Sequence, residues 1–223
     1  MFGGLKSTSS RGSLDKKSLE IALSKIPRYP RPRRELEQYE TSPDVAAAVL
    51  WDAYMMGDIE DSVVLELGCG TGRFVFGALM LGARLGICLD IDEGVLEYAR
   101  EAHCSHSRQL CRRVVYMVAD ALHNPVVSVD TVLMNPPFGV YESNRGLDMG
   151  FLSSALDVAS SVYSIHKYTE KAVELVKTRA VEKGFGVVKI GFLELKIPMM
   201  FETHRRRVHR FKAFYVVLKR GLG

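Results

Sequence analysis

Apolar and polar positions along this chain switch between a helical and a strand period, and the switches mark its elements. From Leu14 to Ile26 the apolar residues Leu19, Leu23 and Ile26 fall at i, i+4 and i+7, one face of a helix. Pro27, Pro30 and Pro32 end that helix, and Arg28 to Arg34 reads as an extended basic linker. Ser42 as a cap and Pro43 in the first turn open a second helix through Tyr54. After Gly57 and an acidic turn, short apolar runs alternate with helical stretches. Strands are predicted at Ser62–Leu67, Arg84–Leu89, Val114–Val118 and Val129–Met134, with helices ending near Leu81 and spanning Glu93 to about His103. A Gly/Asn-rich loop, Gly139 to Gly146, precedes a helix over roughly Asp148–Ser160. Ser161–Ile165 is a fifth strand, and Thr169 to Glu182 another helix. Gly186–Ile197 and Phe211–Leu218 read as a hairpin joined by a short basic loop. The alternation predicts an α/β fold: a doubly wound, seven-stranded, mostly parallel sheet with an antiparallel C-terminal hairpin strand.

Composition narrows the class. With 223 residues and 47% hydrophobic content the chain can bury one sizeable core. We expect a basic, partly disordered segment over 1–34 with a short helix, and one domain over 35–223. No apolar run approaches the roughly 20 residues that cross a bilayer, and Met1 to Ser13 lacks an apolar core of a secretory signal. A soluble, cytoplasmic protein with no membrane partner is expected. The four cysteines contain no C-x-x-C pair, and Cys69 and Cys88 sit in apolar stretches, so reduced thiols are expected. His103, Cys104, His106 and Cys111 lack a matching ligand pair at zinc spacing. No metal is expected there, and a solvated loop is the reading.

Charge points to a class of partner. The net charge is +4, but residues 1–40 carry 9 Lys/Arg against 5 Asp/Glu, and residues 198–223 carry 7 against 1. An acidic centre with basic ends suits a phosphate-bearing partner, the alternative being a merely soluble surface. The strongest basic run, around the hairpin turn, offers Arg205, Arg206, Arg207, Arg210 and Lys212 as contacts to RNA phosphates. A solvated loop is the plainer reading of it. Met199, Met200 and Phe201 beside it are expected in the core.

Candidate chemistry lies at strand ends. Gly68, Gly70 and Gly72 form G-x-G-x-G between a strand and a helix, where backbone N–H groups approach a ligand at the helix N-terminus. A dinucleotide site would want a third glycine where Arg73 stands. Glu66, just before the loop, suits a cofactor with an ammonium group, and S-adenosylmethionine is such a cofactor. Asp90, at the end of the second strand, is placed to accept both ribose hydroxyls, or is an ordinary turn residue. Asp120 ends the third strand and is placed for the adenine amino group, while Asp92 reads as a helix cap.

Asn135-Pro136-Pro137-Phe138 follows the fourth strand. Taken alone it is an Asn-Pro turn. Its chemistry is more specific when read beside the glycine loop. The lone pair of an exocyclic amine is delocalised into its ring, which makes its methylation difficult. The Asn135 side-chain oxygen and the Pro136 carbonyl can each accept an N–H from such an amine, favouring the tetrahedral nitrogen that develops during transfer. Pro137 stiffens the turn, and Phe138 can stack on an unpaired base. No strong general base is required if the proton leaves after transfer.

The combination resembles class I amino-methyltransferases, with their Asn/Asp-Pro-Pro-aromatic motif. More narrowly, Leu36-Glu-Gln-Tyr-Glu-Thr41, Met134-Asn-Pro-Pro-Phe-Gly139, Gly146-Leu-Asp-Met-Gly-Phe-Leu152 and Val162-Tyr-Ser-Ile-His-Lys167 resemble the methyltransferase-like protein five family of rRNA adenine-N6 methyltransferases. The likeness spans roughly 35–220. It implies a Rossmann-like class I fold and S-adenosylmethionine-dependent methylation of adenine N6 in small-subunit ribosomal RNA. Gln38 and Thr41 would fold over the cofactor, with Gly68, Gly70, Thr71 and Arg73 forming its loop. Asp90 would hold the ribose, and Asp120 with Ala121 the adenine. The resemblance also implies a small zinc-ribbon activator subunit, paired with a sheet edge through backbone hydrogen bonds. The chain departs from the family at Glu40, usually proline, at Thr71, often cysteine, and in its basic N-terminal linker. Rival readings are the same chemistry on guanine N2 or a protein glutamine, and a catalytically silent RNA-binding protein of the same fold.

Overall fold

The structure, a computed structural model, describes residues 15–198 and 208–221. Seven strands join in one sheet: β1 (Val63–Leu67), β2 (Leu85–Asp90), β3 (Val114–Val118), β4 (Val129–Met134), β5 (Ala159–Lys167), β6 (Phe185–Pro198) and β7 (Val208–Arg220). Their order is β3-β2-β1-β4-β5-β7-β6. The first five are parallel, and β7 runs antiparallel to both β5 and β6. The chain therefore winds outward from β1 to one edge, returns to β4, and winds outward again, as a doubly wound sheet requires.

Among the described residues seven α-helices accompany the sheet: α1 (Lys16–Ser24), α2 (Pro43–Met55), α3 (Arg73–Met80), α4 (Glu93–His106), α5 (Arg108–Cys111), α6 (Leu147–Val158) and α7 (Glu170–Glu182). Local chemistry starts several of them. Asp15 accepts the Ser18 N–H, Asp92 the Gly94 N–H and Thr169 the Ala172 N–H. Pro43 occupies the first turn of α2 as predicted, but the Ser42 side chain makes no capping bond.

One core layer lies between the sheet and α1 to α4, with Leu19, Leu23, Leu50, Phe74 and Tyr163 fully enclosed. The other lies under α6 and α7, around Leu65, Leu67, Leu152, Leu156 and Phe214. α1, from the segment expected to stand apart over 1–34, thus belongs to the main core. It seats against α3 at Gly77, where an added Cβ would come within 2.4 Å of Leu50 and 3.2 Å of Leu23.

Two expectations are corrected. His103 to His106 do not form a solvated loop, because α4 runs through them and His103 is fully buried. Its neighbour Cys104 is paired with Cys111 of α5 as a disulfide, Cα to Cα 4.9 Å, and not held as a reduced thiol. Cys69 and Cys88 are free and buried. The strands at the C-terminal end are longer than their apolar runs. β5 stops where Lys167 faces Ala213, but the β6–β7 pairing continues to Pro198 facing Val208. The hairpin so projects past the C-terminal ends of the parallel strands. Its turn, with Arg205, Arg206, Arg207, Met199, Met200 and Phe201, lies outside the described residues. Among the described residues no helix is long and apolar enough to cross a membrane.

Leu23→Ala should lower unfolding free energy by about 2–5 kcal/mol in urea titrations, the usual effect of emptying an enclosed leucine site. Ile21→Ala, on the exposed face of the same helix, should change it by less than about 0.5 kcal/mol.

Candidate active site

Parallel pairing sets the site. Leu67 of β1 faces Met134 of β4 on one side and Leu89 of β2 on the other. The next residues along the three strands are Gly68, Asn135 and Asp90, so the glycine loop lies between them at the C-terminal edge. This is the reversal point of the strand order, where open α/β sheets bind ligands. A cleft of about 1110 Å³ opens there. Gln38, Thr41, Glu66, Gly68, Gly70, Thr71, Arg73, Asp90, Asp120, Ala121, Asn135 and Pro137 all line it. Pro136 is buried behind the lining and Phe138 stands beside it. Arg210 and Lys212 are exposed on the projecting hairpin, and Arg210 pairs with Glu194 at 3.1 Å.

The glycine loop is built by close approach. Gly68 and Gly72 have φ of 64° and 68°. A Cβ at Gly68 would meet the Phe151 ring at 2.9 Å, and one at Gly72 would meet Cys88 Sγ and the His103 ring at 2.6 Å. Beside Gly70, φ 52°, there is open space toward the cleft, a cradle that a side chain would fill. Asp90 ties the loop down, accepting the Gly70 N–H at 2.8 Å and the Asp92 N–H at 3.0 Å. Burial nonetheless pushes its carboxyl up from the usual range. Glu66 accepts the Val75 N–H at 2.7 Å in the first turn of α3, and burial raises it to about 8. A cationic ligand group at this position would draw it back toward the ionised form. Asp120 is held low by the Leu122 N–H at 2.9 Å, with His123 at 3.1 Å from its other oxygen. An open glycine cradle flanked by these carboxylates fits a cofactor with hydroxyl, amino and ammonium groups.

Residues 26–42 form a strap over the cleft. Gln38 donates to Asp92 at 2.9 Å, which gives the capping residue a second partner. Arg73 lines the cleft, and the strap engages part of its guanidinium while its Nε has no partner. Its guanidinium donates to the Ile26 carbonyl at 3.1 Å and to the Thr41 carbonyl, and pairs with Glu40 at 3.6 Å. Glu40 in turn accepts the Tyr29 N–H at 2.8 Å and lies 3.9 Å from Arg28. Two of the three departures from the resembled family, Glu40 and the basic linker, therefore meet in one ionic tie.

Asn135 donates its amide nitrogen to Thr41 Oγ1 at 3.1 Å. Its Oδ1 is buried and has no hydrogen-bond partner. Asn135 lines the cleft, and a buried acceptor left without a partner is costly unless a ligand donor reaches it. The Phe138 ring stands edge-on to Phe211 of the projecting hairpin, centroids 5.3 Å apart.

His103, read from the sequence as solvated, supports the site from below. Its ring stacks on Phe76 at 4.4 Å. Nε2 is 3.0 Å from the Thr71 carbonyl and Nδ1 is 2.8 Å from the Tyr116 hydroxyl. A carbonyl only accepts, so Nε2 carries the proton and Nδ1 accepts from Tyr116. Burial lowers its pKa to about 4. Of the other lining residues missed, Tyr29, Leu36, Leu147 and Phe151 are apolar or aromatic walls, while Glu37 and Asn144 are polar. Phe151 lies in the Gly146–Leu152 block, whose Asp148 sits 3.4 Å from His166 of the Val162–Lys167 block. The four resemblance blocks thus converge around one cleft edge.

Comparison with known proteins agrees. Residues 64–146 match the methyltransferase domain family. The chain is 33% identical to an uncharacterized protein of Methanocaldococcus jannaschii, covering 87% of this chain and 90% of that one. It is 33% identical to the rRNA N(6)-adenosine-methyltransferase METTL5 of Danio rerio, covering 86% and 92%. A crystal structure of a candidate RNA methyltransferase from Pyrococcus horikoshii superposes with a TM-score of 0.82, at 34% identity over 92% of this chain and 97% of that one.

His103 generates a pH prediction. Its folded pKa lies below the unfolded value, so the unfolded chain binds the proton first as pH falls. The His103 contribution to stability should decline from about pH 6.5 to 4, by an amount on the order of 3 kcal/mol, while the raised Glu66 carboxyl acts in the opposite sense. In His103→Asn, denaturation curves across that window should lack this slope.

Proposed function

The chain belongs to the METTL5 family of rRNA N(6)-adenosine-methyltransferases, and from that membership we propose that it methylates the N6 amine of an adenine in small-subunit ribosomal RNA, acting in the cytoplasm. S-adenosylmethionine is its cofactor, supplying an electrophilic methyl group on a sulfonium. Gly68, Gly70 and Thr71 would hold it at the loop, with Glu66 toward the ammonium, Asp90 toward the ribose and Asp120 with Ala121 toward the adenine. Gln38 and Thr41 would close over it.

The observation that carries the reading is the orphaned, buried Oδ1 of Asn135. Thr41 accepts from the amide nitrogen, and the oxygen is left without a donor from the protein. An aromatic amine is such a donor. Its first N–H goes to Asn135 Oδ1 and its second to the Pro136 carbonyl. As the nitrogen becomes tetrahedral its hydrogens grow more acidic, and both bonds strengthen, which lowers the barrier. The proton then leaves to solvent after transfer. Pro136 and Pro137 have fixed φ, so the two acceptors keep their spacing. Phe138 offers its ring to the base, which must leave its stack to reach the cleft.

Arg210 and Lys212, with Arg205, Arg206 and Arg207 of the hairpin turn, would contact RNA phosphates and set affinity without reading sequence. The activator subunit implied by the resemblance is assigned to β3. This strand is an open edge of the sheet, it exposes Val115 and Val118, and it ends two residues before Asp120 of the cleft. A partner strand there would satisfy the free backbone groups and brace the adenine end of the site.

Asn135→Ala should reduce methyl transfer from labelled cofactor to ribosomal RNA by roughly 100-fold or more, with S-adenosylhomocysteine affinity within about threefold by calorimetry. Nucleoside analysis of the wild-type product should return N6-methyladenosine; a methylated guanine, or unimpaired transfer by the variant, would reject the mechanism. Val118→Asp should abolish co-purification with a zinc-ribbon protein from the native source while leaving S-adenosylhomocysteine binding intact. Retention of that protein by the variant removes β3 as its site.

A further inference from the structure

We propose that Glu37 is a positioning residue for methyl transfer: its buried carboxylate gathers the N–H groups of Phe138, Tyr141 and Asn144 and so locks the loop after the amine clamp to the strap over the cofactor. The inference deepens the proposed reaction and rests on it.

Glu37 is only 5% exposed and has φ of 48°. An L residue seldom holds that left-handed conformation unless its surroundings impose it. What they impose is a direction. Glu37 Oε2 accepts the Phe138 N–H at 2.8 Å, and Oε1 accepts the Tyr141 N–H at 3.1 Å and an Asn144 amide N–H at 3.1 Å. A carboxylate removed from water needs such donors, and each bond to it is stronger than its neutral counterpart. Asn144 also donates to the Glu35 carbonyl at 2.9 Å, which binds the loop to the strap a second time.

The loop is shaped around this carboxylate. At Gly139, φ 70°, it doubles back so tightly that a Cβ would meet Asn144 and Arg145 backbone atoms at 3.3 Å. Arg34 of the strap donates to the Tyr141 hydroxyl at 3.2 Å, closing the far side. Phe138 is thus held twice, through its N–H by Glu37 and across its ring by Phe211. Its plane is set before a base arrives. The strap also carries Gln38 and Thr41, one residue and four residues further on, which face the cofactor space and Asn135. One side chain therefore couples the cofactor cover to the base platform. Glutamine in its place presents an NH2 to at least one of these donors and breaks the set.

In Glu37→Gln, kcat per S-adenosylhomocysteine-binding site should fall about tenfold or more, with KM for RNA and S-adenosylhomocysteine affinity changed less than about threefold. Amide hydrogen exchange over residues 138–145 should accelerate about tenfold in the variant. Asn144→Ala, which removes a donor from the opposite side, should show the same pattern more weakly. Unchanged exchange at 138–145 in both variants, wild-type kcat in both, or loss of cofactor-site binding in step with kcat overturns the proposal. Should the wild-type protein transfer no methyl to RNA, the substrate reading fails, and the exchange data still decide whether Glu37 holds the loop.

Discussion

Everything at this site depends on one pairing, β1 beside β4 in parallel with Leu67 facing Met134. Parallel strands end at the same edge, so the residues that follow them emerge side by side. One strand is followed by glycines in the left-handed region, the other by two prolines. The first turn can curl close to a ligand and the second cannot bend away from it. Because the chain winds outward from this pair in both directions, no connection crosses the gap between them. The glycine loop and the Asn-Pro-Pro turn are therefore neighbours through topology, although Gly68 and Asn135 lie far apart in sequence.

The roof of the cleft is a different kind of construction. Residues 26–42 contain no strand and no helix of their own beyond the N-cap of α2, and they are held by side-chain bonds. Arg73 reaches from α3 to the Ile26 and Thr41 carbonyls, Glu40 joins it to Arg28 and Tyr29, and Gln38 reaches Asp92. Buried ionic ties of this sort add little net stability, because desolvation opposes the attraction. Their contribution is geometric, since an ion pair with several hydrogen bonds has few alternative partners. At position 40 the stiffness of the strap comes from charge.

Beneath the glycine loop, burial works on three ionisable groups in one direction. Glu66 and Asp90 are pushed up and His103 down, each toward its neutral form. Neutral His103 accepts from Tyr116; a protonated ring would instead have to donate to that hydroxyl. Glu66 is the reverse, since a cationic ligand is what makes its ionised form favourable. The floor of the cleft is thus rigid without a ligand and responsive to one that carries positive charge.

Much of this was legible in the chain itself. Periods of two and near four placed every long element, the glycine and proline turns marked both catalytic strand ends, and Asp90 and Asp120 followed from their strand-end positions. These are local signals, in which neighbours in sequence remain neighbours in space. The remainder was decided by contacts between distant segments. His103 looked like part of a polar loop, yet the missing Cβ of Gly72 admits its ring beneath the loop and the sheet closes over it. Arg73 was expected at the cofactor; it lines the cleft, and the Ile26 and Thr41 carbonyls of the strap also take its terminal nitrogens, contacts that no local signal marks. Cys104 was expected reduced, yet the turn between α4 and α5 brings it to Cys111. Glu37 carries no local mark, because its three partners lie about a hundred residues away. Residue pattern determined the elements and the chemistry at their ends. Which polar groups are buried, and what satisfies them there, was set by tertiary structure alone, because burial is a property of the packed chain.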